Sequence, residues 1–153
     1  MICSNMTNYD NICSQIKALV DGVPYKIANL ANIAACLFLT LPDVNWAGFY
    51  LEENGMLVLG PFVGKPACVC IAPGRGVCGA AYATDTVQRV EDVHTFAGHI
   101  ACDADSRSEI VLPLHKEGRV VGVLDIDSPR LARFTEADRA GLEAVARLAE
   151  ACL

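Results

Sequence analysis

Residues 45–61 read Asn45-Trp46-Ala47-Gly48-Phe49-Tyr50-Leu51-Glu52-Glu53-Asn54-Gly55-Met56-Leu57-Val58-Leu59-Gly60-Pro61, and this stretch decides the architecture. Two apolar runs, Asn45–Glu52 and Met56–Pro61, flank Asn54-Gly55, a pair suited to the positive φ values of a two-residue hairpin turn. Side chains alternate along a strand, so Trp46, Gly48 and Tyr50 share one face while Ala47, Phe49 and Leu51 share the other. The aliphatic face is expected to pack against helices. The other face either fills a second core or, with a glycine gap between two aromatics, leaves space for a small ligand.

Outward from this hairpin the pattern repeats. Ala67–Ala72, Val87–Val90, Ser108–Lys116 and Arg119–Asp127 read as further strands, and a short helix over Val77–Ala83 follows Gly74-Arg75-Gly76. Upstream, Thr7 with Asp10 fits a capping box for a helix carrying Tyr9, Ile12, Ile16, Leu19 and Val20. Ile27, Leu30, Ala31, Ala34, Leu37, Phe38 and Leu41 trace a second helix that Pro42 stops. Downstream, Thr135 with Asp138 opens a third, carrying Leu142, Val145, Leu148, Ala149 and Cys152 on one side. Helices, a strand meander and a closing helix predict an α+β domain, its sheet mostly antiparallel. Glu91–Arg107 is left as a long polar loop, of a length that in a compact domain is usually functional or mobile.

The chain has 153 residues, 53% hydrophobic and 20% charged, which suits one compact domain over 1–153 and excludes a disordered one. The longest apolar run, Ala34–Leu41, falls far short of the roughly 20 residues needed to span a bilayer. Met1–Asp10 lacks a signal-peptide pattern, so a cytoplasmic location is expected. A net charge of −6 argues against nucleic acid and anionic membrane as partners.

The last strand places Val121, Val123, Asp125 and Asp127 on one face and Val120, Gly122, Leu124 and Ile126 on the other. Two neighbouring carboxylates on a buried strand repel each other and lose hydration, so at least one should hold its proton above the ordinary range. That expense points to a cationic ligand, an internal arginine or proton transfer. A three-residue turn, Lys116-Glu117-Gly118, pairs Glu109 with Asp125 and adds a third acid to the group; a two-residue turn would send Glu109 to the aliphatic face. The three-residue turn is the expected one, and three acids suit an ammonium group.

Eight cysteines in a chain with an adequate core point to a reduced compartment rather than a disulfide framework. Cys3, Cys13, Cys36 and Cys152 read as small hydrophobes or tolerated thiols. Cys68 and Cys70 share one strand face, Cys102 sits in the long loop, and Cys78 opens a helix whose dipole can acidify a thiol. Asp103 and Asp105 oppose ionisation of Cys102, while His94, His99 and Arg107 favour it. A zinc site from Cys68, Cys70, His94, His99 and Cys102 competes, but its spacings are poor and no metal is expected. Gly74-Arg75-Gly76 lacks the Lys-Ser/Thr ending of a phosphate loop.

Several contiguous motifs stand out: Asn45-Trp46-Ala47-Gly48-Phe49-Tyr50, Leu59-Gly60-Pro61-Phe62 and Gly64-Lys65-Pro66-Ala67-Cys68, then Gly74-Arg75-Gly76-Val77-Cys78-Gly79 and Val90-Glu91-Asp92-Val93-His94. Gly98-His99-Ile100-Ala101-Cys102-Asp103, Ser108-Glu109-Ile110-Val111-Leu112-Pro113-Leu114 and Gly122-Val123-Leu124-Asp125-Ile126-Asp127-Ser128 continue them across nearly the whole chain. Together they resemble the free methionine-R-sulfoxide reductases, a catalytic branch of the GAF domains. The resemblance implies a six-stranded, mostly antiparallel sheet with N- and C-terminal helices on one side and a loop and short-helix pocket on the other. It further implies a homodimer that reduces free L-methionine-R-sulfoxide and is regenerated by thioredoxin, with no bound cofactor and electrons from NADPH through thioredoxin reductase.

On that resemblance Cys102 matches the nucleophile, Cys68 the resolving cysteine and Cys78 the third cysteine of the redox set. Trp46, Tyr50, Glu109, Asp125 and Asp127 match pocket positions. Cys70 departs from the pattern, standing where a basic residue is expected and offering a thiol that competes with Cys68. A sulfoxide oxygen leaves only when protonated, and its sulfur must meet a thiolate. Glu109 or Asp127 is the expected acid, with Asp125 and the remaining carboxylate on the ammonium, Trp46 against the methyl group and Tyr50 positioning the substrate. The alternative is a non-catalytic GAF module that senses a small ligand or redox state.

Overall fold

The computed structural model describes residues 6–99 and 104–153. Helices α1 (Tyr9–Val20) and α2 (Lys26–Thr40) precede strands β1 (Trp46–Glu53), β2 (Met56–Gly64) and β3 (Cys70–Ile71). Helix α3 (Gly76–Thr84), β4 (Gln88–Val90), β5 (Ser108–Lys116), β6 (Arg119–Ser128) and α4 (Glu136–Glu150) follow. The strands form one sheet in the order β3-β2-β1-β6-β5-β4, and every neighbouring pair is antiparallel. The α+β expectation holds. None of the described helices is long and apolar enough to cross a membrane.

Helices α1, α2 and α4 cover one face. Phe49, Ile110, Leu112, Leu124 and Ile126 point toward α1, α2 and α4 and share a core with Ile16, Leu30, Ile33, Leu37, Leu142 and Val145. Burying each such side chain contributes roughly 1.5–3 kcal/mol. Ile27, expected on the buried stripe of α2, is 69% exposed, and Asn29 takes the inward position, donating through Nδ2 to the Val23 carbonyl at 2.8 Å. The Tyr9 ring lies over Gly141 of α4, where an added Cβ would meet its Cγ at 2.1 Å, and its hydroxyl donates to Asp138 Oδ1 at 2.6 Å. Asp138 closes the expected capping box with Thr135. At α1, however, the cap is Asn8, whose side chain accepts from the Asn11 amide; Thr7 lies one residue too early.

Both long hairpins close through two residues with positive φ: Asn54 (52°) with Gly55 (80°), and Glu117 (53°) with Gly118 (78°). The second contradicts the three-residue turn expected from sequence. Lys116 pairs directly with Arg119, and the ladder then slips between Leu114 and His115, placing one extra residue, Val121, on β6. This bulge restores the parity that the shorter turn removes. Glu109 therefore reaches the acidic face, opposite Asp127 rather than Asp125.

Strand β3 is shorter than the expected Ala67–Ala72, with only Cys70 and Ile71 in register against β2. Pro66 and Pro73 bracket the segment and lack ladder donors. The Cys68 carbonyl is instead taken by the Tyr50 hydroxyl at 2.9 Å. The 91–107 loop contains a short 3-10 turn, Val93–Thr95, capped by Asp92, and is tied to the sheet by Val93 N–H to Arg107 O at 2.8 Å and Arg107 N–H to Ser128 O at 2.7 Å.

Candidate active site

The face of the sheet opposite the helices carries a second, smaller core in which Trp46, Tyr50, Val111 and Val123 meet Val77 and Cys78 of α3. A cavity opens beside it. Trp46 and Tyr50 of β1, Glu109 of β5, Asp125 and Asp127 of β6, and Cys78 of α3 all line it. The register explains the convergence: Trp46 pairs with Asp127 and Gly48 with Asp125 across β1 and β6, while Glu109 pairs with Asp127 across β5 and β6. Residues from three adjacent strands thus stand side by side on one face.

The expected glycine gap is not free space. A Cβ on Gly48 would lie 2.3 Å from the Phe62 Cβ, so the Phe62 backbone fills the gap. Phe62 itself stacks on Trp46, with ring centroids 5.2 Å apart and planes 13° apart; Trp46 in turn stacks with Tyr50 at 6.1 Å. The Trp46 indole N–H donates to the Lys65 carbonyl at 3.1 Å. Glycine at 48 permits close strand approach, and the aromatic wall is the result.

The acids behave as burial requires. Glu109 is 6% and Asp125 5% exposed. Burial, then the charges of Asp125 and Asp127, push the Glu109 carboxyl well above the ordinary carboxylate range. Burial also raises Asp125, although hydrogen bonding from Glu109 and Cys78 pulls it the other way. One Asp125 oxygen, Oδ1, is buried and makes no hydrogen bond. Glu109 is thus the group that keeps a proton, and Asp125 is the acceptor beside it.

Helix α3 begins in a tight turn, with Gly74 N–H donating to Gly79 O and Gly79 N–H to Arg75 O, each at 2.9 Å. That turn sets Cys78 against the acids, its Sγ 4.0 Å from Glu109 Oε1. The acidification that a helix N-terminus can give a thiol does not prevail at Cys78. Burial, followed by the charges of Asp125 and Glu109, drives it well above its ordinary value and outweighs the dipole of a nine-residue helix.

Cys68 is disulfide-bonded, half-buried and packed against the second core, whereas Cys13, Cys36, Cys70, Cys78 and Cys152 are free thiols. Cys70 is exposed. Cys102, the expected nucleophile, and Cys3 lie outside the described residues. The alternative zinc set does not assemble among the described residues: Cys70 and His94 are exposed, and the potential ligands that converge are Cys78, Glu109 and Asp125.

Two further contributors are not expected at the acids: from sequence His99 figures only beside Cys102 and in the alternative zinc set, and Phe62 only within a motif. His99 lines the cavity with Nε2 3.9 Å from Glu109 Oε2, its basicity lowered by burial and then by His94. Its position on a loop gives no periodic signal. Phe62 sits one residue past the expected end of its strand at Pro61, because a bulge facing Phe49 carries β2 through the proline to Gly64.

The GAF domain family matches residues 18–153. The free methionine-R-sulfoxide reductase of Escherichia coli is 57% identical over 134 residues, which cover 88% of this chain and 81% of that protein. The fRMsr of Staphylococcus aureus in complex with substrate superposes with a TM-score of 0.92 at 48% identity, over 97% of both chains. The free methionine-R-sulfoxide reductase from Neisseria meningitidis in complex with its substrate gives 0.91 at 44% identity, over 94% of this chain and 87% of that one. With between 88% and 97% of its length so matched, the chain belongs to the GAF domain family, in the free methionine-R-sulfoxide reductase branch.

Proposed function

We propose that this protein reduces free L-methionine-R-sulfoxide to L-methionine. The observation that carries the reading is the convergence of buried Glu109 and Asp125 with half-buried Asp127 beside the Trp46–Tyr50 wall. Three carboxylates on one face are costly unless a cation and a proton share them. The substrate brings the cation: its ammonium lies between Asp125 and Asp127. Glu109, the acid that keeps its proton, gives it to the sulfoxide oxygen. The substrate methyl rests against the Trp46 indole, and Tyr50 positions it. A methionine within a polypeptide has no ammonium and leaves the acids uncompensated, which restricts the site to the free amino acid.

The Cys102 thiolate attacks the sulfoxide sulfur, the protonated oxygen transfers to the cysteine as sulfenic acid, and methionine leaves. The Cys68 thiol then displaces hydroxide from that sulfenic acid, which departs as water, and a disulfide forms. Cys68 being disulfide-bonded while five other cysteines are free supports this pairing. Thioredoxin returns two electrons to the disulfide, drawn from NADPH through thioredoxin reductase, and no bound cofactor takes part. Cys78 is held here as a neutral buried thiol at the acids. The enzyme works as a single domain over 1–153, as a homodimer, in the cytoplasm.

Single-turnover methionine formation in fully reduced protein tests the assignment. Cys102→Ser is expected to form none, and Cys68→Ser to form one equivalent but stall thioredoxin recycling. Recycling retained in Cys68→Ser would move the resolving role to Cys70 or Cys78. Methionine formed by Cys102→Ser would overturn the nucleophile.

A further inference from the structure

Cys78, Glu109 and Asp125 each offer one ligand atom, and these three atoms all lie within 4.8 Å of one another. A tetrahedral zinc ion with bonds of roughly 2.0 Å to oxygen and 2.3 Å to sulfur holds its ligand atoms roughly 3.3–3.5 Å apart, so small side-chain adjustments close the set. All three residues are buried and come from α3, β5 and β6, so the site is built by the fold rather than by a mobile loop. A second observation points the same way. Asp125 is 5% exposed, lines the cavity and leaves Oδ1 without a hydrogen bond, an unmatched lone pair where an electrophile belongs.

An ammonium ion would satisfy the two carboxylates, but it has no use for a thiol. A sulfur ligand among oxygens favours a soft or borderline divalent ion over magnesium or calcium, which take oxygen. We propose that Cys78, Glu109 and Asp125 form a binding site for a zinc-type divalent cation, which competes with the substrate ammonium for Asp125. The competition rests on the function proposed above; the metal site itself does not.

Binding is a ligand exchange without redox change. The ion sheds waters as sulfur and oxygen bonds form, and the protons of the Cys78 thiol and the Glu109 carboxyl pass to buffer. One tetrahedral position remains for water. Three protein ligands leave the coordination open, which suits a reversible, inhibitory site rather than a permanent structural one. Cys68 is not needed, so the site persists in the disulfide-bonded form of the enzyme.

Cobalt(II) titration of the disulfide-bonded protein without reductant is the direct test, because a thiolate–cobalt bond gives a near-ultraviolet charge-transfer band. One equivalent of cobalt is expected to raise that band, and zinc to displace it. Cys78→Ser should abolish the band, and Asp125→Asn should weaken cobalt affinity by more than the roughly 10–100-fold that outer-sphere changes cost. Both replacements are near-isosteric, and circular dichroism verifies that they fold. Cys70→Ser, which removes an exposed thiol, should leave the band intact. A band that survives Cys78→Ser, or cobalt affinity unchanged by Asp125→Asn, would overturn the site. Free methionine-R-sulfoxide is expected to displace cobalt. If the band responds to Cys78 and Asp125 but substrate has no effect, the metal site stands and the competition fails; if there is no band in a protein that turns over substrate, the metal site alone fails.

Discussion

On the helix-covered side of the sheet, Phe49, Ile110, Leu112, Leu124 and Ile126 are buried among apolar neighbours. One residue along the same strands, Glu109, Asp125 and Asp127 turn to the other side, two of them equally buried and pressed against a thiol. The first face gains from every group that loses water. The second face gains nothing from its acids until a ligand arrives, so stability and function are sorted by strand parity. Adjacent residues should therefore respond to substitution in opposite ways.

The largest contrast is between neighbours on β6. Ile126→Asp puts an unpaired carboxylate into the helix-covered core and is expected to cost more than about 4–5 kcal/mol, leaving little folded protein by circular dichroism. Asp125→Asn removes a desolvated charge and should raise the unfolding free energy by about 1 kcal/mol, read from urea denaturation, while abolishing sulfoxide reduction. If both substitutions destabilise alike, the two faces do not differ as described. Phe49→Ala should cost about 3–5 kcal/mol in urea denaturation with activity per folded molecule retained.

Acid titration sharpens the comparison because the two sides move in opposite senses. Burial alone would raise the Asp138 carboxyl, but hydrogen bonds from the Thr135 amide and the Tyr9 hydroxyl, with the Arg133 charge, hold it below the ordinary carboxylate range. Its stabilising contribution is present above the unfolded carboxylate value and is lost as pH falls through the folded one. Glu109 and Asp125 are raised, so the folded protein keeps protons that the unfolded chain has released. Their effect is a loss of stability as pH rises from the ordinary carboxylate range through the raised values. Asp138→Asn should flatten the acid limb of a stability-versus-pH curve, and Glu109→Gln the limb above it. The smallest effect belongs to neither face: Glu117→Asn, at a turn position with φ of 53°, should add about 1 kcal/mol to thermal stability.

Strand parity was legible because the period of two is local, and Asn54-Gly55 carries its own turn geometry. The same reasoning placed Trp46, Tyr50, Asp125 and Asp127 on one face without any contact information. It failed at the β5–β6 turn, where Glu117 adopts the left-handed conformation against its preference and a bulge at Val121 cancels the slip. Two compensating irregularities leave no trace in a hydrophobic pattern. The state of Cys78 was not legible for a related reason. A helix dipole can be inferred from sequence, but it is outweighed by burial and then by Asp125 and Glu109, which arrive from strands 47 and 31 residues away. Phe62 escaped because proline reads as a strand terminator, whereas here the bulge accommodates it.

The most direct measurement is thioredoxin-coupled NADPH oxidation by the reduced wild-type protein, with free methionine-R-sulfoxide, its S epimer and a peptide containing methionine sulfoxide supplied in parallel. Turnover of the free R epimer, with the S epimer and the peptide left unreduced, is the predicted result. Absence of turnover with all three would contradict the enzyme reading and leave a GAF module that only binds; reduction of the peptide would contradict the role given to the three acids.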